Sequence, residues 1–333
     1  MDVLVLGGSV FLGRAVVDEA LSLGATVTVF NRGRSGPVPP GATHVRGDRT
    51  VDADLAQLSG RVFDVVVDTS GYVPAVVGRS AALLAPSSGR YAFISTINVW
   101  PGWPDEADYY ERPVHDGSPD AEQAPDGIEN QFAYGWLKVG CERAAARAFG
   151  EGRTSVLRAG CIVGPHDAAV GRLPWWIDRI SHGGEVLVPG SPDDPVALID
   201  ARDLARFALT APAGTFGAGG PFGRDTRADL MAACAASTGA DPSLTYVGDD
   251  WLAGQDVAPW TEVPLWAPAS PGLFAHDNSA AVAAALTWRP LAATVADTWG
   301  WMSGIEGGWT PSERTPGLAP AREEQLLAAF AGQ

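Results

Sequence analysis

Four apolar residues, Val3-Leu4-Val5-Leu6, run directly into Gly7-Gly8-Ser9-Val10-Phe11-Leu12-Gly13, after which apolar residues recur at helical spacing as far as Leu23. A short apolar run of this kind is a buried strand, and glycines let the backbone reverse tightly before a helix begins. Gly7 permits the turn, the helix start near Leu12 leaves N–H groups free to face an anion, and Gly13 lets the helix approach the sheet. Strand, turn and helix in this order predict a pyrophosphate cradle built from Gly7, Ser9, Phe11, Leu12 and Gly13.

The alternation continues. Short apolar runs at Thr26 to Phe30, His44 to Arg46, Val65 to Val67, Tyr91 to Ser95 and Ser155 to Arg158 read as further strands. Between them lie a turn near Leu55 and helical patterns at Pro74 to Leu84 and Gln131 to Phe149. Six strands separated by helices predict an α/β fold, a doubly wound parallel sheet covered on both faces. Residues 1–169 form this dinucleotide-binding domain. Residues 170–333 read mainly as a smaller C-terminal substrate-capping domain, with some segments returning to the first, since nine of the 12 Trp fall there among Pro- and Gly-rich connections.

Charge narrows the function. The formal net charge is −16. Residues 1–100 carry equal numbers of acids and bases, so the excess lies beyond Trp100. An acidic surface repels phosphate backbones, which argues against a nucleic-acid partner. Residues 101–130 hold nine acids and one base, an insertion that reads as a solvated loop or as a flap beside the substrate. Three cysteines in no metal-binding spacing give neither a disulfide framework nor a zinc site. No apolar run approaches the roughly 18 residues of a membrane span, and a cytoplasmic location is expected.

The second strand ends in Phe30-Asn31-Arg32-Gly33-Arg34. A carboxylate at this place accepts from the ribose 2′-hydroxyl of NAD, whereas a 2′-phosphate needs cations. Here no acid is present and two Arg follow, so NADP(H) is preferred, with NAD(H) an alternative. Asp48 and Arg49 are placed for the adenine end, and Thr69 and Ser70 should lie along the dinucleotide.

Among 23 Lys and Arg residues there is one lysine, Lys138, four residues after Tyr134 on a predicted helix. That spacing puts both side chains on one face. A nearby ammonium favours the phenolate and should bring the Tyr toward the working pH range, making Tyr134 a proton donor or acceptor. The fifth strand ends at Ser95-Thr96, which offers a hydroxyl to orient a carbonyl.

With these residues the chain resembles the extended (atypical) short-chain dehydrogenases/reductases, the NAD-dependent epimerase/dehydratase family with its Rossmann fold. The branch most similar includes the chloroplast stem-loop-binding proteins and many bacterial reductases. The resemblance runs from the glycine turn through Asp68-Thr69-Ser70-Gly71-Tyr72 and Arg158 to Pro165 and on to Ile199-Asp200-Ala201-Arg202-Asp203-Leu204. It implies a catalytic triad of Thr96, Tyr134 and Lys138, with Lys138 also holding the nicotinamide ribose. It also allows a homodimer through the helix pair that includes the Tyr-Lys helix.

The departures from the family pattern bear on substrate. Val10 stands where the turn usually has its middle Gly. Ile97 and Asn98 follow Thr96 where sugar dehydratases carry Asp and Glu. Cys161 and Val196 occupy the places of an Asn and an Arg that anchor nucleotide diphosphates. The expected function is therefore reduction of a carbonyl, or oxidation of the alcohol, in a small molecule other than a nucleotide sugar. Asn98, Trp100, Cys161, His166, Arg172, Trp175 and Trp176 are candidate substrate contacts. An epimerase working by transient oxidation, and a non-catalytic NAD(P)-sensing or RNA-binding relative, are the competing readings.

Overall fold

A computed structural model describes residues 1–168 and 170–332. Ala169, at which the sequence divides the two domains, lies outside the described residues. In chain order the first part comprises β1 (Asp2–Leu6), α1 (Phe11–Ser22), β2 (Thr26–Asn31), β3 (Thr43–Arg46), α2 (Asp52–Leu55), β4 (Phe63–Asp68) and α3 (Pro74–Leu84). There follow β5 (Ser88–Thr96), α4 (Asn130–Phe149) and β6 (Thr154–Ala159). These strands, with β11 (Gly214–Ala218), form one seven-stranded parallel sheet in the order β11-β6-β5-β4-β1-β2-β3. The sheet has one strand more than the six read from the sequence, because β11 is short, glycine-rich and remote in the chain.

Strands buried on both faces need no polar alternation, which is why Val3, Leu4, Val5 and Leu6 are all buried. One face is covered by α1 and by α6 (Ala201–Thr210), through Val16, Ala20, Leu204 and Phe207. The other is covered by α3 and α4, through Val77, Leu84, Cys141 and Phe149. Asp200 caps α6 by accepting from the Arg202 N–H at 2.8 Å, where the chain passes from β10 back onto the sheet.

The cap is built from β7 (Cys161–Val163), α5 (Arg172–Ser181), β8 (Glu185–Pro189), β9 (Pro195–Val196), β10 (Leu198–Asp200), β12 (Asp225–Thr226), α7 (Arg227–Thr238) and β13 (Ser243–Val247). After it come α8 (Asp249–Gly254), α9 (Ser279–Ala283), α10 (Leu291–Ser303) and α11 (Pro320–Ala331). Its core is separate from the sheet's and includes Trp176, Ile177, Met231 and Trp266.

The acidic insertion does two things. Its first half reaches the cleft between sheet and cap: Gly272 donates its N–H to the Pro104 carbonyl at 2.9 Å, and Tyr109 shares a 2.7 Å hydrogen bond with His276 Nδ1. Its second half straps the outward groove between α3 and α4. Ala75 N–H donates to the Ala121 carbonyl at 3.0 Å, Arg143 pairs with Asp116 at 2.6 Å, and Arg147 pairs with Asp120 at 2.6 Å.

Candidate active site

A cleft of about 1200 Å³ runs across the carboxyl ends of β1, β2, β4 and β5 and under the cap. Gly7, Ser9, Phe11, Leu12, Gly13, Asn31, Arg32, Arg34, Asp48, Arg49, Thr69 and Ser70 all line it. Gly7 has φ +118°, and a Cβ there would collide with Thr69 Oγ1; one at Gly13 would stand 2.7 Å from the Gly8 nitrogen. The turn is thus drawn tightly against Thr69 and the start of α1. Helix α1 begins with no side-chain cap and no acid in its first turn, so its N–H groups face the cleft unspent. Val10, at the place of the family's middle Gly, is exposed and itself lines the cleft.

Asn31 sets the shape of this turn. Its Nδ2 donates to the Gly7 carbonyl at 2.6 Å and to Ser9 Oγ at 2.7 Å, and its Oδ1 accepts from Gly33 N–H. Arg49 departs from the expected adenine contact. Its guanidinium turns inward and forks the Asp68 carboxylate with two bonds of 2.8 Å, while Tyr91 donates to the same carboxylate at 2.6 Å. Burial raises the Asp68 pKa, but Arg49 outweighs it and the carboxyl is held below its ordinary value. A buried acid of this kind needs a bound cation, and Arg49 is committed to that task. Arg32 and Arg34 remain exposed at the mouth, with Asp48 3.9 Å from Arg32.

Thr96 ends β5, Tyr134 and Lys138 lie one turn apart on α4, and all three line the cleft. A Cβ at Gly135 would strike the Asn98 carbonyl, so glycine lets α4 press against the turn after Thr96 and bring Tyr134 beside it. Thr96 donates to Asn98 Oδ1 at 2.8 Å, and its hydroxyl favours the Tyr134 phenolate.

The Tyr134 phenol is nonetheless pushed up to about 12, by burial first and by Tyr72 next, although the residue is 42% exposed along the open cleft. The expected lowering by Lys138 is not what the geometry provides. Lys138, 4% exposed, donates to the Gly71 carbonyl at 2.9 Å and the Ile94 carbonyl at 2.6 Å, with its ammonium 4.1 Å from the Phe93 ring centre. Burial pulls the Lys138 pKa down to about 8.

The substrate candidates divide. Asn98, Cys161 and Arg172 line the cleft. Trp100, Trp175, Trp176 and His166 do not. Trp176 is fully buried in the cap core and donates to the Pro264 carbonyl at 2.8 Å. Trp175 packs on Trp176, Trp100 packs on Tyr109 under the Arg158 guanidinium, and His166 packs on Trp301. Trp100 and Trp176 are buried in packing, and the half-buried Trp175 and His166 lie off this cleft. The walls are instead Tyr72, Trp103, Trp260 and Leu273, with Asp167 at the cap side. Tyr72 ends the Asp68-to-Tyr72 segment and was visible there. Trp260 and Leu273 come from irregular backbone between α8 and α9, where no periodicity marks them.

The fold and this constellation define a dinucleotide-binding α/β protein of the extended short-chain dehydrogenase/reductase type. The chain belongs to the NAD-dependent epimerase/dehydratase family, whose model matches residues 3–215. No curated protein matches the sequence. Among solved structures it is similar to UDP-glucose 4-epimerase of Thermotoga maritima bound to UDP-glucose, at 19% identity and a TM-score of 0.60, covering 91% of this chain and 99% of that one. It is also similar to the Bordetella bronchiseptica enzyme WbmH in complex with NAD+, at 18% identity and a TM-score of 0.61, covering 91% and 98%. UDP-N-acetylglucosamine 4-epimerase of Bacillus cereus matches at 16% identity and a TM-score of 0.60, covering 92% and 98%.

Proposed function

We propose that the protein is an NADP(H)-dependent oxidoreductase that reduces a carbonyl, or oxidises the corresponding alcohol, in a small molecule other than a nucleotide sugar. The observation that carries this is the convergence of Thr96, Tyr134 and Lys138 on the cleft that also holds the glycine cradle. The cradle fits a pyrophosphate, because glycine at Gly7 and Gly13 lets the turn fold tightly onto Thr69 and the start of α1, and that helix begins with neither a side-chain cap nor an acid in its first turn. Gly7, Ser9 and the start of α1 would hold the phosphates, Thr69 and Ser70 the middle of the dinucleotide, and Lys138 the nicotinamide ribose. The nicotinamide supplies or accepts a hydride when bound. Tyr134 gives or takes the proton on the substrate oxygen, and Thr96 orients that oxygen.

Two exposed guanidinium groups at the end of β2, with no carboxylate on that strand end, support NADP(H) over NAD(H). Against nucleotide sugars, Val196 is fully buried in the cap core and Cys161 presents a thiol where the family keeps donors for a diphosphate. The intact triad favours chemistry over a sensing or RNA-binding role. A cytoplasmic setting accords with the absence, among the described residues, of any helix long and apolar enough to cross a membrane.

The 4-epimerases among the similar structures favour a second reading, transient oxidation and re-reduction of one carbinol. Titrations should give a lower Kd for NADPH than for NADH, and carbonyl substrates should consume NADPH stoichiometrically only while Tyr134 is present. Tyr134→Phe should bind NADPH with turnover down at least 100-fold. Tighter NADH binding removes the cofactor assignment, and turnover of a nucleotide sugar without net NADPH consumption establishes the epimerase instead.

A further inference from the structure

Five cations line the cleft. Arg49 forks Asp68, Lys138 donates to two carbonyls, Arg32 faces Asp48, and Arg34 lies exposed at the cofactor mouth. Arg172 is different. It opens α5 on the cap side and is only partly exposed, yet no hydrogen bond or ion pair of the described residues involves its side chain. Every other described arginine that is not exposed has at least one such partner. Its Nε is enclosed without an acceptor, and its guanidinium carbon sits 4.9 Å from the centre of the Trp260 ring.

Its position relates to the chemistry. Arg172 and Cys161 both line the cleft, and the Arg172 charge counters the effect of burial on the Cys161 thiol. Cys161 lies two residues beyond Ala159, which pairs with Thr96 across β5 and β6. Thr96, Ala159, Cys161 and Arg172 all line the one cleft. Asp167 feels the Arg172 charge but makes no ion pair with it; its carboxylate accepts from the backbone N–H of Val170 at 3.3 Å and from those of Gly171 and Arg172, securing the start of α5.

A partly enclosed guanidinium with open donors is costly until an anion meets it. Its planar fork matches a carboxylate through two parallel N–H bonds, and the Trp260 ring holds that plane in place. A single cation near Asp167 suits a monoanion better than a phosphate dianion.

We propose that Arg172, braced on Trp260, receives a carboxylate group of the substrate, which makes the substrate class a small organic monocarboxylate bearing the reacting carbonyl or carbinol. The class assignment rests on the oxidoreductase reading; the anion site does not.

Calorimetric titration of the cofactor-free protein with benzoate, benzamide and phenyl phosphate separates these. Benzoate should bind at least tenfold tighter than its neutral isostere benzamide. That preference should vanish in Arg172→Leu and return in part in Arg172→Lys. Equal or undetectable binding of benzoate and benzamide overturns the site, as does a preference that survives in Arg172→Leu. Tighter binding of phenyl phosphate overturns the carboxylate in favour of a phosphate ester. Should Arg172→Leu fail to fold by circular dichroism, the wild-type comparison with Arg172→Gln decides in the same way. A wild-type protein that prefers benzoate but binds no NADPH removes the oxidoreductase reading and leaves the anion site standing.

Discussion

Lys138 shows how closely one side chain can be specified. Its ammonium fills a gap bounded by two carbonyl oxygens and the Phe93 ring, at 4% exposure. A guanidinium is wider and planar, so Lys138→Arg keeps a cation but must displace β5 or the Gly71 turn. Overpacking of this kind costs about 1–3 kcal/mol. The expected outcome is a lower thermal midpoint together with a turnover at least tenfold below wild type. Normal turnover would mean that the compact ammonium is not required. The pairing of Tyr134 with Lys138 was legible because it is local, four residues on a helix. The direction of the Lys138 ammonium was not, since Gly71 and Ile94 are 67 and 44 residues away.

At the level of elements, α4 is held by contacts of unequal worth. Gly135 lets the helix touch the turn after Thr96, and a methyl group there would strike backbone. Gly135→Ala should therefore destabilise by about 1–3 kcal/mol and reduce turnover, by moving Tyr134 away from Thr96. By contrast, the strap's Arg147–Asp120 pair is solvated on both sides, so Asp120→Ala should leave the thermal midpoint almost where it was. Thermal melts of the two variants check both statements. The strands around α4 were readable as short continuous apolar runs, and the helices from their 3.6 periodicity. The strap was not, because its links to α3 and α4 run through backbone groups and exposed arginines, which leave no apolar pattern. The cleft walls at Trp260 and Leu273 escaped notice because they come from irregular backbone between α8 and α9, where no periodicity marks them.

At the scale of the whole molecule, His276 sits where insertion, sheet and cap meet. It is 8% exposed, bonded to Tyr109, and wedged against Gly160 and Gly219. Burial lowers its pKa to about 4. The ordinary value is about 6.5, so as pH falls from 6.5 to 4 the unfolded chain takes up a proton that the folded chain refuses. Stability from this group is present above pH 6.5 and is lost across that window, to a limit of about 3 kcal/mol. Urea unfolding at pH 7 and pH 4.5 should show a larger acid loss in wild type than in His276→Gln. Equal losses would show that His276 is not a source of acid lability.

The solitary lysine has a practical consequence as well. Amine-directed reagents mark most proteins at many surface points, but here the sole ε-amine lies inside the cleft. Acylation at Lys138 would thus track the opening of the interior, and a single peptide mass would count the molecules that have come apart.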